Sequence, residues 1–277
     1  MEKIKVDTTG ILTPKQRINH IVKWLKAYAK SAKISTFVVG ISGGIDSSVV
    51  SALCAKTGIK TVVVQMPIKQ NKKLDKLSSL QAAWLLALYP KVTHMSMDLT
   101  PVFGAFEKKI GPFVDFDDNT YETWQLACAN SRARLRMMTL YQIAQCNNGL
   151  VVGTGNKVED FGVGFFTKYG DGGVDISPIG DCLKTQVWDM GRELGLEQEI
   201  IDAPPTDGLW DDGRTDEGQL GMSYPELEHA MALADADHCV YDPLTLTKTE
   251  KAQLKKYREI RARNMHKMRP IPVCKIS

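Results

Sequence analysis

A nine-residue string, Gly40-Ile41-Ser42-Gly43-Gly44-Ile45-Asp46-Ser47-Ser48, has the residue types and spacing to hold an anion. Glycine and serine let a backbone turn tightly and approach a ligand closely. Successive N–H groups in such a turn converge on anionic oxygens, and a helix beginning there adds partial positive charge. Ser42, Ser47 and Ser48 add hydroxyl donors. No lysine follows the glycines, so this is not the G-x-x-x-x-G-K-[ST] phosphate loop. Asp46 is a negative charge inside an anion cradle, which leaves two readings. It caps the helix that follows, or it holds a Mg²⁺ ion that bridges carboxylate and phosphate oxygens.

Further along, Thr154-Gly155-Asn156-Lys157-Val158-Glu159 follows a short apolar run. Glu159 reads either as a first-turn partner of a helix dipole or as a second acidic ligand. Lys184 opens a helical pattern, where a cation opposes the dipole and so favours an anionic neighbour. Arg134 sits in the cluster Arg132–Arg136, and His266 and Lys267 lie in the basic run Lys251–Arg269. Without other signals these read as solvated helix faces.

The elements that must position these groups alternate along the chain. Thr36–Ile41, Thr61–Met66, Val92–Leu99 and Leu150–Thr154 are short apolar runs, rich in β-branched residues, and are predicted strands. Helices are predicted from Thr13-Pro14 onward, over Asp46–Lys56, Leu77–Leu88, about Thr120 to Asn147, and Lys184–Leu194, with Gly195 behind the last. Ser223–Glu226 and Thr247–Glu250 are capping boxes that each open another helix. The pattern predicts an α/β fold, a doubly wound, mostly parallel sheet with helices on both faces. Ligands then bind beyond the carboxyl ends of the strands, just after Ile41, Met66, Leu99 and Thr154. Gly162–Gly180 and Pro204–Gly221 are too long to be simple connectors and read as binding loops or lids.

Composition narrows the partners. The 277 residues carry 35 Lys and Arg against 32 Asp and Glu, a formal +3, so no nucleic-acid partner is expected. No apolar run is long enough for a membrane span, and MEKIKVDTTG lacks a secretory core. The six cysteines are scattered without a C-x-x-C pair, which predicts free buried thiols in a reducing cytoplasm.

The S-G-G-x-D-S string resembles the pyrophosphate loop of the ATP pyrophosphatase superfamily, whose members cleave ATP between its α and β phosphates. A second string narrows this. Gly164-Phe-Phe-Thr-Lys-Tyr-Gly-Asp-Gly-Gly173, followed by Asp175-Ile-Ser-Pro-Ile179 and Lys184-Thr-Gln-Val187, is similar to NAD synthetases. Pro205–Leu209, Asp216-Glu217, Leu220–Tyr224 and His266-Lys267 match in the same order, so the likeness runs over about residues 10–272.

The resemblance implies an adenine nucleotide α-hydrolase-like, Rossmann-like fold spanning residues 1–277 as one domain without a glutaminase domain. It implies amidation of deamido-NAD to NAD with ammonia, ATP as co-substrate and Mg²⁺ as cofactor, by a homodimer. Asp46 and Glu159 would be the metal ligands, with Asp46 and Lys184 catalytic. Gly40, Ile41, Ser42, Gly43, Gly44, Ile45, Asp46, Ser47, Thr154, Lys184 and Thr206 would contact ATP. Arg134, Lys168, Asp175, His266 and Lys267 would contact deamido-NAD. Asp160–Val163 makes the stretch before Gly164 one residue longer than in one branch of the family, which leaves the local path between Glu159 and Lys168 open.

Overall fold

The computed structural model describes residues 12–69, 72–114, 120–206, 215–236 and 246–276. Four parallel strands, β1 (Thr36–Gly40), β2 (Lys60–Gln65), β3 (Val92–Ser96) and β4 (Gly149–Val151), lie in the order β3-β2-β1-β4. The side chains of β1 alternate between two cores, as a doubly covered sheet requires. Phe37 and Val39 face one cluster, with residues of α1 (Pro14–Ala32), α2 (Ile45–Lys56), α3 (Lys72–Leu88) and α6 (Lys184–Leu194). Val38 faces the other, with Phe103 of α4 (Thr100–Ile110) and Cys128 and Ala144 of α5 (Thr120–Cys146). The predicted doubly wound fold is the observed one.

Local chemistry sets the helix starts. Thr13 caps α1 and Gln16 returns the bond, so the Thr13-Pro14 start stands; Ile18, Ile21, Leu25 and Ala29 then bury one stripe. Chain order reverses between β1 and β4, and the crevice at that switch point opens where the Gly40–Ser47 loop and Thr154 emerge.

A third cluster lies beside the sheet. It joins α9 (Tyr224–Ala236), α10 (Lys248–Met268) and a π-helical turn, Lys157–Val163, through Val158, Val163, Leu227 and Tyr257. Both capping boxes therefore open helices, as predicted. Two short helices, α7 (Gln198–Ile201) and α8 (Asp216–Leu220), complete the fold.

Some elements depart from the sequence expectation. Helix α4 was not predicted, because it buries only Phe103 and leaves Val102, Phe106 and Ile110 exposed, so it shows no inward apolar stripe. Helix α3 starts at Lys72, a turn before Leu77. The second and third strands stop short of Met66 and Leu99, and β4 ends at Val151, after which Val152 makes a single bridge to Ile176. The loop expected over Pro204–Gly221 contains α8, and its residues 207–214 lie outside the described ones. Cys54, Cys128 and Cys182 are buried free thiols, but Cys146 and Cys274 are exposed, and Cys239 lies outside the described residues. Among the described residues no helix is long and apolar enough to cross a membrane.

Gly43 holds the turn after β1 at φ +87°, and a Cβ there would meet the Leu74 carbonyl at 2.6 Å and Leu77 Cβ at 2.9 Å. Replacing it with alanine combines left-handed strain with a backbone clash. Gly43→Ala is expected to cost about 1–3 kcal/mol or more, read as a lower urea midpoint at unchanged slope. An unchanged midpoint would show that the turn has room to relax.

Candidate active site

The anion loop is braced by its own serines. Ser47 Oγ accepts the Ser42 N–H at 3.2 Å and lies 3.1 Å from Ser42 Oγ. It also donates to the Gly44 carbonyl at 3.1 Å, and Ser48 Oγ donates to the same carbonyl at 2.9 Å. Gly44 is the N-cap of α2, and its extended backbone leaves Asp46 in the first turn. The capping reading of Asp46 is therefore replaced by another arrangement.

Asp46 turns toward a buried cation. Lys184, the first residue of α6, is 2% exposed. Its Nζ donates to Asp46 Oδ2 at 2.5 Å and to Glu159 Oε1 at 2.9 Å. The Lys184 Nζ also lies 4.8 Å from the centre of the Tyr224 ring and 6.0 Å from that of Trp188. Burial alone would lower the lysine's affinity for its proton, but the two carboxylates outweigh it and hold the pKa above the ordinary value. Burial likewise favours the neutral form of Glu159. Lys184, then the Tyr224 hydroxyl, overcome that and keep the carboxyl below its usual range.

The three groups come from distant parts of the chain and are tied by polar side chains. Asn156, fully buried, donates from Nδ2 to Asp46 Oδ1 at 3.1 Å, and its Oδ1 caps the π turn by accepting from Val158 and Glu159 N–H at 3.0 and 3.1 Å. The Tyr224 hydroxyl hydrogen-bonds Glu159 Oε1 and lies 3.2 Å from Asp216 Oδ2. Glu228 accepts from the backbone N–H of Thr185 at 2.9 Å and from its hydroxyl at 2.8 Å, fixing the start of α6 beside Lys184. None of these three partners was assigned a role from the sequence. Tyr224 and Asn156 stood inside quoted strings, but their targets are long-range contacts with no spacing signal.

One cavity collects most of the expected nucleotide-contacting residues. Gly40, Ile41, Ser42, Gly44, Ile45, Asp46, Ser47, Thr154, Lys184 and Thr206 line it, together with Glu159. Gly43 does not; it turns into α3 instead. The cavity also holds Asp160, Asp171, Asp216 and Arg136. Asp160 lies against Gly155, where a Cβ would fall 1.8 Å from its Oδ2. Burial, then Asp171, push its carboxyl well above the ordinary value. Arg136 donates to the Met66 carbonyl at 3.0 Å, and burial brings its pKa down to about 10.

The residues expected to contact a dinucleotide are placed differently. Arg134, Lys168, Asp175, His266 and Lys267 are not among the residues lining this cavity. Arg134 Nε donates to the Lys168 carbonyl at 3.3 Å, and Asp175 Oδ2 accepts the Val151 N–H at 2.8 Å. Lys168 Nζ donates to the His266 carbonyl at 2.8 Å, and Lys267 Nζ donates to those of Gly164 and Phe166 at 3.1 and 2.9 Å. With Arg261 on Phe161 and Gly162, and Asn264 on Val163, the end of α10 grips most carbonyls of the segment after Glu159. The stretch from Glu159 toward Gly164, whose path the sequence left open, coils as part of the π-helical turn Lys157–Val163.

This arrangement pairs an anion-binding turn with a buried ammonium and two carboxylates. It can take up a polyphosphate and the cation that accompanies it. A family profile described as NAD synthase matches residues 17–271. An NH(3)-dependent NAD(+) synthetase of Carboxydothermus hydrogenoformans is 37% identical over 215 residues, 77% of this chain and 84% of that one. One of Methanosarcina acetivorans is 34% identical over 92% of this chain and 96% of its own. Among solved structures, the NMN synthetase from Francisella tularensis superposes with a TM-score of 0.82 at 29% identity, over 96% of this chain and 100% of that one. The NH3-dependent NAD synthetase from Campylobacter jejuni shares the fold, with a TM-score of 0.72 at 22% identity over 96% of this chain and 100% of its own.

Asn156→Ala should leave a vacant donor position at Asp46 and uncap the π turn. The expected loss is about 2–3 kcal/mol, from one hydrogen bond to a charged group and one helix cap. Denaturant unfolding checks it, and a loss under about 0.5 kcal/mol, within the range of an ordinary surface change, would count against the linking role.

Proposed function

Because the chain belongs to the NAD synthase family, we propose that it is an ATP-dependent ligase that amidates deamido-NAD to NAD with ammonia. The observation that carries the reading is the Lys184–Asp46–Glu159 centre set at the mouth of the Gly40–Ser47 anion turn. A carboxylate is a poor electrophile. An oxygen of the nicotinate carboxylate attacks the α-phosphorus of ATP and pyrophosphate leaves. Ammonia then adds to the carbonyl carbon of the acyl-adenylate, and AMP departs as the amide forms.

Gly40, Ile41, Ser42, Gly44, Ile45 and Ser47 form the phosphate cradle, whose turn Gly43 sets, with Thr154 and Thr206 as further ATP contacts. Lys184 offsets the charge that develops on the transferred phosphoryl group. Asp46 and Glu159 fit a Mg²⁺ ion, since both are hard oxygen donors and their oxygens already converge on one buried cation. Bound there, the metal supplies Lewis-acid stabilisation of phosphate oxygens. Arg134, Lys168, Asp175, His266 and Lys267 are proposed for deamido-NAD; Lys168 and Lys267 tie the end of α10 to the segment after Glu159, and Asp175 holds the Val151 N–H. Arg136, half-buried in the cavity, is a further anion contact.

A second reading concerns the acceptor. The likeness to an NMN synthetase over nearly the whole chain favours nicotinate mononucleotide as the carboxylate amidated in place of the dinucleotide. The adenylation chemistry is the same in both cases.

The enzyme is proposed to act as a homodimer in the cytoplasm. Val102, Phe106 and Ile110 form one exposed apolar stripe on α4, and Phe113 beyond it is 82% exposed. Such a stripe suits a partner surface, and a second copy is the partner proposed.

Protein, ATP, Mg²⁺ and ammonium are expected to yield NAD from deamido-NAD, followed with an NAD-dependent dehydrogenase. Comparing kcat/KM for deamido-NAD and for nicotinate mononucleotide decides between the two acceptors, since the better substrate identifies the reading. Asp46→Ala should lower turnover at least about 100-fold; near-wild-type turnover would remove it from the reaction. Phe106→Glu should convert a particle of two chains to one of 30.7 kDa by light scattering. An unchanged mass would move the interface elsewhere.

A further inference from the structure

We propose that Lys184 determines in what form the site accepts its metal: its ammonium fills the place between Asp46 and Glu159 until a nucleotide draws it away, so the metal enters with the nucleotide and not alone. The proposal rests on the reading of Asp46 and Glu159 as the metal-holding pair.

The geometry leaves little choice. One Nζ donates to both carboxylates, at 2.5 and 2.9 Å, using the oxygens Asp46 Oδ2 and Glu159 Oε1. The other oxygen of Asp46 is taken by Asn156, and Glu159 Oε1 also meets the Tyr224 hydroxyl. A divalent ion ligated by the same oxygens would compete with the ammonium for their lone pairs and be repelled by it at close range. Two buried carboxylates without a cation would carry an uncompensated charge, so the lysine is not free to leave by itself. The aromatic faces of Tyr224 and Trp188 favour the ammonium where it is. Release requires a new anion within the reach of Lys184, and the Gly40–Ser47 turn, which lines the same cavity, is where a polyphosphate brings one. Nucleotide binding and cation exchange are then one event. The phosphates take the lysine, and the metal takes the carboxylates.

The probe is Mn²⁺ alone, followed by the electron spin resonance signal of the free ion, with the wild type, Lys184→Met and Lys184→Met/Asp46→Asn. Lys184→Met is expected to bind Mn²⁺ at least about tenfold more tightly than the wild type without nucleotide, and the double variant to lose that gain. Because Lys184→Met leaves two carboxylates uncompensated, its melting temperature is followed as well. Mn²⁺ should raise it clearly, while the wild type barely moves. Lys184→Gln, which keeps a donor but not a charge, should respond in the same sense. Equal Mn²⁺ affinity in the wild type and both single variants would overturn the proposal. A separate titration with Mn²⁺ and a non-hydrolysable ATP analogue tests the reading underneath. If Asp46→Asn leaves that binding intact, the metal pair itself is wrong; if it weakens binding while the lysine variants match the wild type, only the exchange is wrong.

Discussion

Two carboxylates that lie close together inside a protein cannot both stay ionised unless a cation answers them, and much of this structure serves that requirement. Asp46 and Glu159 are 17% and 14% exposed, and the ammonium between them 2%. Removing one member of such a buried set typically costs about 3–5 kcal/mol, because the rest is left uncompensated. The same energy that makes the centre expensive makes it responsive. A group whose charge is held by neighbours at under 3 Å changes partners only when another ion enters. The lysine's raised pKa and the lowered one of Glu159 express mutual stabilisation, while burial, against the pull of Lys184, leaves the Asp46 carboxyl above its ordinary value.

Three layers of structure converge on this point. The parallel sheet sends two loops into one crevice, since chain order reverses between β1 and β4. The α2 turn brings Asp46, the π turn brings Glu159 and the start of α6 brings Lys184. Around them, uncharged or secondary partners set orientation. Asn156 ties the first two elements together, Tyr224 reaches in from α9, and Glu228 pins α6. The third hydrophobic cluster, around Leu227 and Tyr257, is what lets α9 and α10 press on the π turn.

Sequence patterning reveals the sheet and its phosphate turn because both are local. Strand composition, a glycine turn and a following helix occupy consecutive residues. Lys184 was also legible in part, since a cation at a helix start implies an anionic partner, yet nothing in the pattern says that the partners are two carboxylates. Tyr224 and Asn156 act on residues far away in sequence, and periodicity carries no information on such pairs. Helix α4 was hidden for the opposite reason. All but Phe103 of its large apolar residues face outward, so no inward apolar stripe marks it as a helix. Lys168 and Lys267 stand out in a motif as cations, but the carbonyl groups of the chain that they also hold are long-range partners that the motif does not announce.

The grip of α10 on the segment after Glu159 also bears on how the molecule is made. Arg261, Asn264 and Lys267 hold carbonyls of Phe161, Gly162, Val163, Gly164 and Phe166, about 100 residues earlier in the chain. All four strands and the glycine turn precede those donors in the chain, so they are synthesised before α10. The segment that carries Glu159 is therefore made before the side chains that hold its carbonyls, and it gains those bonds only once α10 exists.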